Sequence, residues 1–159
     1  MIVSFIELNH FKPTAQMFVK IANFLEKLVV EDGADIFLFT NEGAFDQFSL
    51  YFLNQLKKQH PNIKCIFCET GYEDDREELS VLELFYNKIV VLHSLCDNNL
   101  VAPYVRSRYM ILMSDVLVTY FNTDNLQTPR LESVAEEAVK FAKRYKKRVI
   151  NLYNYHLFV

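Results

Sequence analysis

Short apolar runs alternate with amphipathic segments along the whole chain, and this alternation limits the possible folds more than any other feature. Runs such as DIFLFT (35–40) and DVLVTY (115–120) carry few polar positions, which is typical of strands buried on both faces of a parallel sheet. The segments between the runs repeat apolar residues at helical spacing. We therefore predict an α/β fold with a doubly wound, mostly parallel sheet of about five to seven strands and helices on both faces.

The predicted elements follow one another without a break in composition, so we predict a single domain that spans residues 1–159. Predicted strands cover residues 2–8, 35–40, 63–68, 88–92, 115–120 and 148–152, and predicted helices cover residues 13–31, 45–56, 79–86, 102–114 and the segment from Thr128 to Tyr145. In the helix over 102–114, one apolar face is formed by Val105, Tyr109, Leu112 and Met113.

Composition excludes several classes of protein. With 51% hydrophobic residues and a formal net charge of -3, the chain is neither disordered nor a strongly basic nucleic-acid binder, and a nucleic-acid partner is not expected. Its apolar runs fall far short of the roughly 18 residues that a membrane-spanning helix needs. The first residues show neither a basic segment nor an apolar signal core, so we predict a cytoplasmic protein without a membrane partner.

The three cysteines indicate neither a metal site nor a disulfide framework. Cys65 and Cys68 lie in a predicted strand, whose alternation directs their sulfurs to opposite faces, and Cys96 is left over. No second cysteine pair or cysteine–histidine pair completes a tetrahedral set of ligands. We therefore expect buried structural thiols, with no metal and no cofactor.

A ligand crevice in an open α/β sheet lies beyond the carboxyl ends of the strands, where the strand order reverses. The loops at that edge cover residues 9–12, 41–46, 69–73, 93–99 and 121–128. Glycine-rich phosphate loops are absent from the sequence, which holds three glycines where average usage would give roughly eleven.

Five segments together resemble one family. They are NEGAFD (41–46), KKQHP (57–61), KIVVLHS (88–94), RSRYM (106–110) and SDVLV (114–118). Their order and spacing resemble the YpsA-like branch of the SLOG superfamily over nearly the whole chain. The resemblance implies a Rossmann-like fold, a distant relationship to LOG-type phosphoribohydrolases, and a pocket for a nucleotide-derived ligand at the carboxyl edge of the sheet.

The chain departs from this family in the loop before its last helix. A Gly-Gly-Thr stretch is expected there, whereas this sequence has NTDNLQTP (122–129), in which Thr128 is the candidate for the threonine. Glu132 lies near the place of the glutamate that LOG enzymes use, but its spacing does not match their G-T-x-x-E pattern. Asp46 and Glu132 are therefore weak catalytic candidates only.

The ligand-binding candidates are drawn from these loops and from the helix over 102–114. They are Asn9, His10, Asn41, Glu42, Gly43, Asp46, Ser94, Arg106, Arg108, Asn122 and Thr128. Asp46 has two interpretations, because it either contacts a ribose hydroxyl or caps the start of its helix. Arg106 and Arg108 lie about 200° apart around a helix, so we expect at most one of them to reach a given crevice.

We predict that the protein binds or senses a nucleotide-derived small ligand without clear catalytic machinery. Two alternatives stay open: a LOG-like nucleoside-phosphate glycosidase or hydrolase, and an interaction scaffold that has lost its ligand. The last segment, residues 152–159, is apolar and aromatic. We expect it to form a homo-oligomer interface, with packing on its own domain as the competing explanation.

Overall fold

A computed structural model describes residues 1–7, 14–70, 83–92, 100–120 and 134–154. Strands and helices alternate along these residues. The strands are β1 (Ile2–Glu7), β2 (Ile36–Phe39), β3 (Lys64–Glu69), β4 (Lys88–Val91), β5 (Val116–Tyr120) and β6 (Arg148–Asn151). The helices are α1 (Ala15–Val30), α2 (Gly43–Leu56), α3 (Ala102–Met113) and α4 (Val134–Arg144).

The strands form one sheet in the order β4-β3-β2-β1-β5-β6, and every neighbouring pair is parallel. The order runs outward from β1 to β4 on one side and continues with β5 and β6 on the other. It therefore reverses between β1 and β5, and the carboxyl ends of these two strands flank the switch point. This architecture confirms the α/β prediction.

The helices cover the sheet in two layers. Side chains from α1 and α2 pack with one face of the sheet in the largest core cluster, which includes Phe5, Phe24, Leu25, Phe37, Phe39, Phe45 and Leu53. The opposite face packs on α3 and α4 through two smaller clusters, which include Ile6, Leu38, Cys68, Met110, Ile111, Leu117, Ala138 and Ala142. Burial on both faces explains why the strand runs are apolar throughout.

Strand alternation decides where the polar end of β1 points. Val3 and Phe5 belong to the α1 and α2 layer, whereas Ile6 belongs to the α3 and α4 layer. Glu7, the last residue of β1, is two positions from Phe5 and therefore points to the same face of the sheet. Its carboxylate therefore lies at the carboxyl edge of the sheet on the side of α2.

The two cysteines of β3 are directed to opposite faces, as predicted. Cys65 lies in the core cluster beneath α2, and Cys68 lies in the cluster beneath α3. Both are buried and free, and burial raises the pKa of each thiol to about 12. They are therefore protonated, unreactive parts of the core.

Two local predictions differ from the structure. The predicted apolar face of α3 is not the buried one, because Leu112 and Met113 remain about half exposed while Ser107 and Met110 are buried. The apolar residues are spread so evenly around this helix that periodicity could not identify the buried side. In the predicted helix over 79–86, the described residues 83–85 form a turn. Within the described ranges no helix combines the length and the hydropathy that crossing a membrane requires.

Candidate functional site

The turn between β2 and α2 brings several predicted site residues together at the carboxyl edge of the sheet. Asn41 and Gly43 have φ angles of 59° and 77°, so the chain turns sharply before the helix. Glu42 is the N-cap residue, but its side chain makes no capping hydrogen bond. It points to α3 instead, where its Oε1 lies 2.7 Å from Nη2 of Arg106.

Asp46 lies in the first turn of α2 and stabilises the connection between β2 and α2 through hydrogen bonds. Its Oδ2 accepts hydrogen bonds from the backbone N–H of Thr40 at 2.9 Å and from the Thr40 hydroxyl at 2.7 Å. The Thr40 hydroxyl oxygen in turn accepts from the backbone N–H of Glu42 at 3.3 Å. The second carboxylate oxygen of Asp46 is fully buried and has no hydrogen-bond partner among the residues that the structure describes.

Glu7 caps α2 from the neighbouring strand. Its Oε2 accepts a hydrogen bond from the backbone N–H of Phe45 at 2.9 Å, and the N–H of Asp46 also donates to this carboxylate. The approach requires glycine at position 43, since a Cβ there would overlap the Glu7 carboxylate. An acidic side chain thus occupies the place where the N-terminal amides of a helix hold an anion.

Burial changes the acidity of both carboxyl groups. Desolvation raises the pKa of Glu7 to about 7, although its hydrogen bonds from the Phe45 and Asp46 amides oppose the shift. Desolvation likewise raises the pKa of Asp46 to about 7 against its hydrogen bonds from Thr40. The negative charges of Glu7 and Glu42 add to the increase at Asp46. Each of the two carboxyl groups therefore gains or loses its proton near neutral pH.

Arg106 connects the two helix layers across the end of the sheet. The residue is only 5% exposed. Burial raises the pKa of the Cys68 thiol, and the positive charge of the nearby Arg106 guanidinium opposes that increase. Its Nε has no hydrogen-bond partner. One turn beyond Asp46, the buried Ser49 hydroxyl is likewise without a partner. Buried polar groups without partners are rare in native proteins and call for an explanation.

Aromatic side chains surround the acidic residues. The Tyr86 hydroxyl donates to Oδ1 of Asn41 at 3.0 Å, and burial raises the pKa of that phenol. Tyr120 is the register partner of Glu7, and its ring lies 6.3 Å from that of Phe45. The Tyr153 ring packs edge-on against Tyr120 at 5.8 Å. The edge thus combines carboxylates with aromatic surface.

The structure places the predicted site residues in three groups. Asn41, Glu42, Gly43, Asp46 and Arg106 come together around the start of α2. Arg108 does not join them, because it is exposed and its guanidinium lies 5.4 Å from the centre of the Phe141 ring. The remaining candidates lie outside the described residues: Asn9, His10, Ser94, Asn122, Thr128 and Glu132.

Sequence reasoning missed four residues of this cluster: Glu7, Thr40, Ser49 and Tyr86. Only Glu7 gave a usable signal, since a carboxylate at the last position of an apolar strand, on the parity of Phe5, faces the α2 layer at the ligand edge. The other three residues are polar groups whose neighbours only the fold supplies.

Within the described ranges, no three His, Cys, Asp or Glu side chains form an arrangement that could hold a metal ion. Comparison of the chain with models of known protein families gave no match, and comparison with curated proteins gave none either.

Proposed function

We propose that this protein binds a nucleotide-derived small ligand at the carboxyl edge of its sheet, and that the start of α2 contacts hydroxyl groups of the ligand's sugar. The observation that carries the proposal is the half-buried Glu7 carboxyl group, which lies at the carboxyl edge of the sheet and has no cationic partner among the described residues. A carboxylate accepts hydrogen bonds from sugar hydroxyl groups.

Three further features support this proposal. Glu7 lies near the switch point, where α/β sheets bind ligands. Tyr120 and Tyr153 add aromatic surface to the same edge, and such surface packs well against a planar base. The resemblance to the YpsA-like branch of the SLOG superfamily points to the same class of ligand.

The proposal is tested by calorimetric titration of the protein with adenosine, AMP, ADP-ribose and NAD. We expect saturable binding of at least one of them. Glu7→Gln should weaken that binding about tenfold, because a neutral amide oxygen accepts a hydroxyl hydrogen bond less strongly than a carboxylate does. Glu31→Gln is the matched control, since Glu31 lies at the end of α1 with a side chain that is 63% exposed.

A screen without binding would contradict the proposal and favour the interaction scaffold. Equal binding by the wild type and Glu7→Gln would keep the ligand class but remove this part of the site.

A second candidate function, hydrolysis of a nucleoside phosphate, is favoured by one observation. Glu7 and Asp46 both have pKa values of about 7, which suits a general acid or base at neutral pH. Release of free base from nucleoside monophosphates, detected by chromatography and lost in both Glu7→Gln and Asp46→Asn, would support this function. Binding without any release of base would exclude it for the ligands tested.

Assembly into a homo-oligomer stays a prediction. Leu152 is fully buried in its own chain, and Tyr153 packs on Tyr120. These two residues therefore satisfy the competing expectation of packing within one domain. Residues 155–159, which complete the apolar segment, lie outside the described residues. Light scattering of the full chain at tens of micromolar tests the assembly, and a monomer would remove it.

A further inference from the structure

Above about pH 7, the start of α2 carries the negative charge of the Glu7 carboxylate in the position where helices usually hold a bound anion. We propose that the Glu7 carboxylate acts as a resident anion, which excludes phosphate from the N-terminus of α2 and selects ligands that present hydroxyl or amino groups there. Glu7 is thereby a specificity-determining residue.

The geometry of the cap supports this role. The N–H groups of Phe45 and Asp46 both donate to the Glu7 carboxylate, with a distance of 2.9 Å for Phe45. Gly43 leaves the space that the carboxylate occupies, since a Cβ at this position would overlap it. A phosphate would need the same amides and the same space, and it would meet the charge of Glu7 at close range.

Buried polar groups show that this helix start is a built site. Arg106 is 5% exposed, reaches the N-cap residue Glu42 at 2.7 Å and keeps its Nε without a partner. On the other side, the buried Oδ1 of Asp46 is an acceptor without a donor.

The cluster as a whole is therefore suited to donor groups. The carboxylates of Glu7 and Asp46 have no cationic partner among the residues that the structure describes, whereas Glu42 is neutralised by Arg106. Hydroxyl and amino groups donate to carboxylates, and phosphates do not unless they are protonated. In a nucleotide-derived ligand, the sugar would lie here and the phosphate elsewhere along the edge; this assignment rests on the proposed function.

The exclusion of anions is tested at pH 8 with sulfate, because Glu7 is charged at that pH and sulfate carries two negative charges. Sulfate is titrated into nitrogen-15-labelled wild type, Glu7→Gln, Glu7→Ala and the control Glu31→Gln, and the backbone amide signals of Phe45 and Asp46 are followed. Glu7→Ala leaves the Phe45 and Asp46 amides without the carboxylate and empties the space that it occupied beside Gly43. Glu7→Gln keeps a neutral oxygen for the Phe45 amide, so the helix start remains capped.

We expect saturable shifts of both amides in the Glu7 variants, with sulfate affinity about tenfold higher than in the wild type and in Glu31→Gln. The effect should be larger for Glu7→Ala than for Glu7→Gln. A folded Glu7→Ala protein whose Phe45 and Asp46 amides ignore sulfate would overturn the proposal. Should Glu7→Ala not fold, Glu7→Ser, which also vacates the space, takes its place, and unresponsive amides in that variant would overturn the proposal.

The sulfate experiment uses no nucleotide, so it separates the two proposals. Sulfate binding to the variants together with an empty nucleotide screen would support the resident anion and contradict the proposed function. Nucleotide binding together with unresponsive amides would do the reverse.

Discussion

The two edges of the sheet use acidic residues in opposite ways. At the amino edge, Asp35 accepts from the N-terminal ammonium of Met1 at 2.8 Å. At the carboxyl edge, Glu7 and Asp46 accept only from neutral groups among the described residues, and one oxygen of Asp46 accepts from none.

The pKa values record this difference. The hydrogen bond from the N-terminal ammonium lowers the pKa of Asp35, whereas burial raises the pKa of Asp46 to about 7. The charge of Asp35 at the amino edge therefore stabilises the fold, while the charge of Asp46 at the carboxyl edge costs stability. Perturbed pKa values are enriched at functional sites, which supports the proposed site at the carboxyl edge.

Two described glycines with positive φ test the contrast between the two edges, and substitutions there carry the largest expected effect on stability. Gly33 at the amino edge has a φ of 69° with open space around it, whereas Gly43 has a φ of 77° and faces the Glu7 carboxylate. Gly33→Ala should lower the free energy of unfolding by about 1 kcal/mol for backbone strain. Gly43→Ala should lower it by about 3 kcal/mol, because Glu7 must also leave the helix amides. Urea unfolding measures both.

Combining Gly43→Ala with Glu7→Ala identifies the source of the difference. If Glu7 causes the additional loss, the two substitutions are strongly non-additive, and the double variant is nearly as stable as Glu7→Ala apart from the backbone strain. Equal losses of stability in Gly33→Ala and Gly43→Ala would contradict the contrast between the two edges.

Replacing Asp46 or Asp35 by asparagine gives the next largest effect on stability, and this effect depends on pH. The pKa of folded Asp46, about 7, exceeds the ordinary 3.8, so the native state holds a proton that the unfolded state releases between these values. Stability from the protonated group is complete below about pH 4 and is lost as the pH rises through about 7. Asp46→Asn should therefore raise the free energy of unfolding at pH 8 by about 2 kcal/mol and change it little at pH 4.

Asp35→Asn should show the opposite sign. The pKa of folded Asp35 lies below its ordinary value, so its stabilising charge is present above pH 3.8 and is lost as the pH falls. Because its side chain is half exposed, the expected loss at pH 8 is only about 0.5 kcal/mol. Urea unfolding of both variants at pH 4 and pH 8 decides the matter, and equal signs at pH 8 would contradict the account.

The fold followed from the sequence because its signals are local. Apolar runs such as residues 36–39 and 116–120 could only be buried strands, and Thr14 caps α1 by accepting from the N–H of Met17 at 3.3 Å. The parity of Cys65 and Cys68 was predictable in the same way. Helix α3 was harder, since its buried side carries Arg106 and Ser107 while Leu112 is half exposed.

The site was predictable only in part, because its chemistry depends on contacts between distant segments. The loop from Asn41 to Asp46 was identified from its place after a strand. That Glu7 caps a helix 38 positions away required the register of β1 beside β2, and that Arg106 reaches Glu42 required the order of the whole sheet. The raised pKa of Asp46 comes from burial, which no local pattern encodes.

The most direct test is a titration of the side-chain carboxyl carbons of Glu7, Asp35 and Asp46 by NMR in the wild-type protein. The account predicts that Glu7 and Asp46 titrate near pH 7, while Asp35 titrates below its ordinary value. It also predicts that removal of Glu7 by Glu7→Gln lowers the pKa of Asp46, since the charge of Glu7 contributes to the increase. Three ordinary pKa values near 4 would contradict the contrast between the two edges.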